Sequence, residues 1–450
     1  MCRLFKKILV ANRGEIAVRV LRAAREMGIQ TVAVYSEADR DALHVRYADE
    51  RFPIGPAPSS ESYLHIPNVI NAAVQTGAEA IHPGYGFLSE NHRFAEVCRI
   101  WNLKFIGPSP AAIERMGDKA AARRTMAQAG VPVIPGSDVV ASVEDARRAA
   151  ERIGYPLLVK ASGGGGGRGI RIVESADQLA ESFERAAREA QSSFSNADVY
   201  LERFIANPRH IEIQVLADEH GNIVTLGERE SSMQRRRQKV MEEAPSPALT
   251  PELRAAMSEA AVLAARAVDY TSAGTLEFLL DEDGRFYFME MNTRVQVEHA
   301  VTEMVTGIDI VKEQIAIAAG EQLSFGQGDV RMSGWSIECR INAEDPEHLF
   351  RPSPGTVTTW APPLGPGVRV DEGAYAGYQV QPFYDSLLAK LVVWGRSREE
   401  AVARMRRALY EFQVEGVHTT LALHRQLMED PEFVAGHLST HFLADRIAGA

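Results

Sequence analysis

The stretch GTLEFLLDEDGRFYFMEMN, Gly274 to Asn292, reads as two apolar β-forming runs joined at an acidic tip. Asp283–Gly284 is a dipeptide favoured in two-residue hairpins. Taken as the turn, it pairs Glu282 with Arg285, Leu279 with Phe288 and Glu277 with Glu290. Two carboxylates then face each other on adjacent strands, with Cβ atoms roughly 5 Å apart. Like charges so placed repel unless a cation or a shared proton relieves them. A hard dication such as Mg²⁺, held by one or two carboxylates and by substrate phosphates, meets that need. Period-2 alternation carries the same face onward through Asn292, Arg294, Gln296 and Glu298. A solvated outer strand also alternates, but Phe286, Phe288, Met289 and Met291 are too apolar for one.

Upstream, YPLLVKASGGGGGRGIRIV spans Tyr155 to Val173 and sets five consecutive glycines between two β-forming runs. Glycine loses more backbone entropy on folding than any other residue, so such a loop is expensive unless something approaches the backbone closely. Glycine-rich loops let backbone N–H groups surround phosphates. The run continues into Arg168, Gly169 and a strand rather than into Gly-Lys-Ser/Thr and a helix, so it is not a P-loop. It reads as a flap between strands, able to close over a triphosphate and exclude water. Lys160 and Lys119 supply cations for the phosphates. The carboxylate pair and the glycine flap, in one region of the chain, point to the same ligand.

The N-terminal part opens as strand (Ile8–Ala11), Gly14 turn, helix (Glu15–Met27) and strand (Thr31–Tyr35), a βαβ unit without the dinucleotide-binding fingerprint. Pro108 and Pro110 mark a boundary. A further hairpin turns at Glu219–Asn222, and a third region follows Gly320 and closes with a helix Ser397–Tyr410. The fold class is α/β (α+β overall), divided at residues 1–115, 116–330 and 331–446. A chain of 450 residues, 45% apolar and 24% charged, buries an ample core. The net charge of −11 argues against a general nucleic-acid binder, and no apolar run is long enough for a membrane span. The start MCRLFKKILVANRGE lacks the pattern of a signal peptide, and the three scattered cysteines suggest neither disulfides nor a thiolate metal site. The expected setting is the cytoplasm.

These features together resemble the ATP-grasp superfamily, and longer motifs are similar to biotin carboxylase: ANRGEIAVR from Ala11, HPGYGFLSEN from His82, KASGGGGGRG from Lys160, NPRHIEIQV from Asn207, EEAPSP from Glu242, EMNTRVQVEH from Glu290 and ECRINAEDP from Glu338. The resemblance runs from Lys7 to about Leu443. It implies that Lys119, Lys160, Gly166, Gly167, Glu202, Arg203, Phe204, Ile205, His210, Gln234, Arg237 and Leu279 bind ATP. It implies that Glu277, Glu290 and Asn292 hold Mg²⁺ or Mn²⁺ alongside the nucleotide. Lys239, Arg294, Gln296 and the backbone of Val297 would bind bicarbonate. Glu298 would be the base, Arg340 the cation for a biotin enolate, and Tyr85 a wall of the biotin site. The implied reaction is bicarbonate phosphorylation to carboxyphosphate, then carboxylation of biotin.

Two positions depart from the pattern: Arg237 stands where a histidine is usual, and Ala300 where proline is usual. The sequence carries no Met-Lys-Met biotin-attachment motif. It therefore reads as a free-standing subunit working with a biotin carrier protein and carboxyltransferase subunits, acetyl-CoA carboxylase first among the expected assemblies. Propionyl-, acyl- and pyruvate-type carboxylases stay open beside it, as do another ATP-grasp ligase and a non-catalytic nucleotide binder. The resemblance also implies a homodimer using the first helix, with Arg19 and Arg22.

Overall fold

The computed structural model describes residues 4–161, 170–194 and 198–447; the glycine run, with Gly166 and Gly167, lies outside the described residues. Ile8, Leu9 and Val10 are completely buried because their strand, Lys7–Val10, is the centre of a five-stranded parallel sheet. The order is Glu50–Gly55, Gln30–Ser36, Lys7–Val10, Ala80–His82, Lys104–Phe105. Helix Gly14–Glu26 makes the expected βαβ crossover. Strand order reverses between Lys7–Val10 and Ala80–His82, and ligands of such sheets bind where the carboxyl ends of the strands diverge. Residues 11–15 and 83–87 leave the sheet there. Asn12 joins them, its Nδ2 donating to the carbonyls of Pro83 and Tyr85, each at 2.7 Å. Gly84 (φ +61°) fits this crossing because a Cβ would lie 2.9 Å from Asn12 Nδ2.

The larger sheet has eight antiparallel strands: Phe286–Asn292, Ser272–Leu280, Arg209–Ala217, Ile223–Arg235, Gln238–Ala244, Trp335–Asn342, Leu387–Gly395 and Val368–Glu372. Strands from both sides of residue 330 therefore share one sheet. Helix Pro251–Ala267 packs on one side of it through Met257, Ala260, Ala261 and Ala264, against Ile211, Ile213 and Leu276. The third region does not close with the helix found at Arg398–Glu411; helices Leu421–Glu429 and Pro431–Ala435 follow it and complete the core with Leu423, Leu427 and Phe433. A separate three-stranded sheet, Ile170–Val173, Leu157–Ala161 and Val199–Arg203, carries Lys160. Helices Val143–Ile153 and Ala176–Phe194 pack against it.

The carboxylate hairpin corrects one expectation and keeps another. Its loop has three residues, not two. Asp281 N–H donates to the Arg285 carbonyl, and Asp281 Oδ1 accepts the N–H groups of Asp283 (3.0 Å) and Arg285 (2.8 Å). Gly284 takes the left-handed position, φ +78°. Leu279 consequently pairs with Tyr287 rather than Phe288. A bulge at Met289 then restores the original count, so Glu277 does face Glu290. The strand ends at Asn292, and Arg294, Gln296 and Glu298 follow in irregular backbone rather than in a continued strand. Among the described residues, no helix is long and apolar enough to cross a membrane.

Candidate active site

One cavity of about 1580 Å³ opens between the parallel sheet, the small sheet and the large sheet. Lys119, Lys160, Glu202, Arg203, Phe204, Ile205, His210, Gln234, Arg237, Lys239, Glu277, Leu279, Glu290, Asn292, Arg294, Gln296, Val297, Glu298, Arg340 and Tyr85 all line it. Every site residue expected from the sequence, apart from the glycines outside the described residues, is thus brought to one place.

Its floor is built around Arg229, which sequence reasoning missed. This guanidinium is wholly buried and uses all five donors: Nε to Glu212 (2.9 Å), Nη1 to Gln214 (2.8 Å) and Thr302 (3.0 Å), Nη2 to Thr275 (3.0 Å) and Gln296 (2.7 Å). Charges in the middle of strand Ile223–Arg235, which is buried along most of its length, were the available signal. Arg229 so orients Gln296, whose Nε2 donates to Glu277 Oε1 at 2.7 Å.

Lys239 stands at the centre of this floor. Its Nζ contacts Glu212, Glu277 (2.9 Å) and Glu298 (2.7 Å). Burial alone would lower its pKa, but the three carboxylates push it up. Burial likewise opposes ionisation of Glu277, yet Lys239 and His210 hold its pKa well below the usual range. His210 Nε2 lies 3.0 Å from Glu277, and that carboxylate raises the histidine pKa against the effect of burial. Gln234 Nε2 faces His210 Nδ1 at 2.8 Å.

His210, Glu212 and Glu277 could together reach a metal, since their ligand atoms lie within 4.8 Å of one another. Lys239, bonded to both carboxylates, makes that cluster a poor cation site. The oxygen donors of Glu277, Glu290 and Asn292 fit Mg²⁺ better. Glu290 is the more open carboxylate, with Lys119 its one ion-pair partner among the described residues, at 3.2 Å.

Glu298, at the head of helix His299–Thr306, is gripped by Lys239 and by Arg340, whose Nη2 is 2.9 Å away. Burial would raise the Glu298 pKa; Lys239 and then Arg340 hold it far down. Arg340 also donates to Glu242, not to Glu338 or Glu344. Arg294 reaches Asn292 Oδ1 (2.9 Å) and Glu90 (3.0 Å), and Glu90 also accepts the Thr293 N–H. Lys160 is paired with Glu202, and the Tyr85 hydroxyl donates to Glu15. Arg19 is buried against Glu303 (2.9 Å) and Asp309 (2.6 Å), while Arg22 borders a shallow depression beside them. Arg236 (φ 47°) and Arg237 (φ 70°) form the two-residue turn between Ile223–Arg235 and Gln238–Ala244, and both line the cavity.

A parallel sheet with a switch-point crevice, a small lysine-bearing lobe and an opposed carboxylate pair on an antiparallel sheet define the ATP-grasp class of ligases. Comparison with known proteins narrows this. Residues 4–113 match the family model of the biotin carboxylase N-terminal domain and residues 338–445 that of the biotin carboxylase C-terminal domain. Residues 118–325 match the ATP-binding domain of the carbamoyl-phosphate synthase L chain. The biotin carboxylase of Nostoc sp. is 56% identical over 442 residues, covering 98% of this chain and 99% of its own. The biotin carboxylase–β,γ-ATP complex from Campylobacter jejuni superposes with a TM-score of 0.93 at 50% identity, covering 98% of this chain and 99% of that one. The biotin carboxylase domain dimer of Hydrogenobacter thermophilus 2-oxoglutarate carboxylase, in complex with MgADP, ADP and bicarbonate, gives 0.91 at 52% identity, covering 98% of each chain. The chain belongs to the biotin carboxylase family.

Proposed function

We propose that this chain uses MgATP and bicarbonate to carboxylate biotin borne on a separate carrier protein, with the residues of the cavity in the following roles. Lys119 and Lys160 neutralise the triphosphate, Lys160 leaving Glu202 to do so. Phe204, Ile205, Leu279, Glu202, Arg203, Gln234, His210 and Arg237 form the rest of the nucleotide site, to which Gly166 and Gly167 would contribute. Glu277, Glu290 and Asn292 would hold Mg²⁺, which supplies charge neutralisation at the phosphates. Arg294 offers a planar fork to bicarbonate, helped by Gln296, Lys239 and the Val297 backbone. Glu298, ionised between two cations, takes the bicarbonate proton as the oxygen attacks the γ-phosphorus and ADP leaves. Its basicity rises when Arg340 turns from it to an incoming oxyanion. Carboxyphosphate breaks down to CO₂ and phosphate; the phosphate accepts the ureido N–H proton and the nitrogen attacks CO₂. Arg340 stabilises the negative ureido oxygen, and Tyr85 lines the biotin side.

The observation that carries this reading is the Glu277–Lys239–Glu298–Arg340 chain: a metal-binding carboxylate, a base and an oxyanion cation within one hydrogen-bonded row. Segments 1–115, 116–330 and 331–446 serve as its three units. The acceptor assembly we favour is acetyl-CoA carboxylase with a homodimeric carboxylase subunit; a relative that serves 2-oxoglutarate keeps 2-oxo acid carboxylases as the second reading. The test is ADP release from MgATP by the purified chain. Release should need bicarbonate and rise with free biotin; release indifferent to both overturns the reading. Reconstitution with acetyl-CoA or with 2-oxo acid carboxyltransferases and their carriers decides the acceptor.

A further inference from the structure

A second acidic pair lies directly beneath Arg340. Glu242, on strand Gln238–Ala244, and Glu338, on Trp335–Asn342, are register partners across neighbouring antiparallel strands. Their side chains therefore share a face. Both are buried, at 1% and 0% exposure. Glu242 Oε1 accepts Nε of Arg340 at 2.8 Å and also Nη2, but Glu242 Oε2 and both oxygens of Glu338 meet no donor among the described residues. Three orphaned oxygens on two opposed carboxyls are not a stable arrangement of two anions.

The surrounding charges are committed elsewhere. Lys239, on the strand of Glu242, serves Glu212, Glu277 and Glu298. Lys390, the register partner of Arg340 on Leu387–Gly395, donates to the Val297 carbonyl and lies near Glu15 and Asp371; it acts on Glu338 through space but bonds neither carboxyl of the pair. From helix His299–Thr306, which packs over these strands, Glu298 adds negative charge, and His299 bonds the Gln296 carbonyl. The Cys339 thiol is buried and its pKa raised, first by burial and then by Glu242 and Glu338. Arg340 is thus the one cation bonded to the pair among the described residues, and one cation balances one anion.

We propose that Glu242 and Glu338 share a single proton at neutral pH, and that this monoanionic pair positions Arg340. The role given to Arg340 rests on the proposed function. The pair holds the Nε edge, leaving Nη2 directed to Glu298 and the cavity. Loss of the proton would put two anions under the guanidinium and draw it off the biotin side. Glu338 is a positioning residue, acting through Glu242. Burial pushes Glu242 up to about 7 against the pull of Arg340, and pushes Glu338 well above the carboxylate range against that of Lys390.

Infrared spectroscopy of the whole chain across pH tests the shared proton without needing activity. The wild type should show a protonated-carboxyl C=O band at neutral pH that fades as pH rises, and the band should be lost in both Glu338→Gln and Glu242→Gln. In biotin-dependent ADP release, the alkaline limb of kcat/KM should move up by about one pH unit or more in Glu338→Gln, whose amide keeps its protons. A wild type without the band, a band that survives both variants, or coincident alkaline limbs would each overturn the proposal; the wild-type spectrum decides even where a variant does not fold. Loss of the band in both variants of a chain that makes no carboxybiotin would uphold the shared proton and defeat the proposed function instead.

Discussion

Lys390 Nζ donates to the carbonyl oxygen of Val297 at 2.7 Å from a side chain with no solvent exposure. The same ammonium lies 3.4 Å from Glu15 and 3.6 Å from Asp371, and Glu15 in turn accepts the Tyr85 hydroxyl. One cation from strand Leu387–Gly395 therefore fixes the backbone beside Glu298 to the crevice of the parallel sheet. Lys390→Met leaves buried Glu15 without its cation, while Asp371 keeps the fork of Arg369. Urea unfolding should register a loss of about 3–5 kcal/mol. In whatever fraction stays folded, KM for bicarbonate should rise more than KM for ATP.

Glu290 and Glu277 should differ in what they tolerate. Glu277 is held by Lys239, His210, Asn292 and Gln296, whereas Glu290 pairs, among the described residues, with Lys119 alone. Glu290→Gln should fold with nearly unchanged stability and shift the Mg²⁺ dependence of ADP release upward by about tenfold or more. Glu277→Gln should lower both activity and Tm, since it strips a carboxylate from Lys239 and His210. Titration with Mg²⁺ and thermal melts separate the two.

The turn at Arg236 and Arg237 stores backbone strain. Both residues sit at positive φ, where Asn and Gly are preferred. Replacing the pair with Asn-Gly should stabilise the fold by about 1 kcal/mol and raise KM for ATP. Equal or lower stability would show that the arginines make contacts worth more than the strain.

Acid should destabilise the chain through buried neutral histidines. Burial lowers the pKa of His44 and His424 to about 4 and that of His82 to about 3. The unfolded chain, with ordinary values near 6.5, binds protons that these native imidazoles refuse. Between about 6.5 and 4, each should therefore remove about 1.4 kcal/mol of stability per pH unit as pH falls. His210, with a raised pKa, is protonated in both states over that window and adds no slope. Urea titrations at stepped pH give the gradient, and His424→Gln should reduce it by one histidine's share.

How far this was legible beforehand depends on range. The opposition of Glu277 and Glu290 came from two offsetting departures, the three-residue loop and the Met289 bulge, whereas Lys160 beside the glycine run could be read because that signal is local. The loop of the hairpin was misread because Asp281 caps its own turn, which a dipeptide rule does not anticipate. Convergence of Arg294, Gln296 and Glu298 was expected for the wrong reason: the backbone past Asn292 is irregular, and Arg229, Lys239 and Glu90 gather those side chains. Arg229, Glu90, Glu15 and Lys390 escaped notice because each reaches the site through a partner far away in sequence, Arg229 through Gln296 and Lys390 through Val297, and no periodicity encodes such pairs.

The Met289 bulge has a consequence for how this hairpin tolerates change. Tip and site are out of phase by one residue, and Met289 is the phase correction. Residues 282–285 are exposed, so an altered loop length there can be absorbed before the ladder begins. Deleting Met289 should be absorbed as well: Phe288 and Glu290 would become neighbours in a regular ladder, still facing Phe278 and Glu277. The tip is accordingly the place to graft a reporter peptide, and position 289 a place where the strand can lose a residue without moving Glu290 off the face of Glu277.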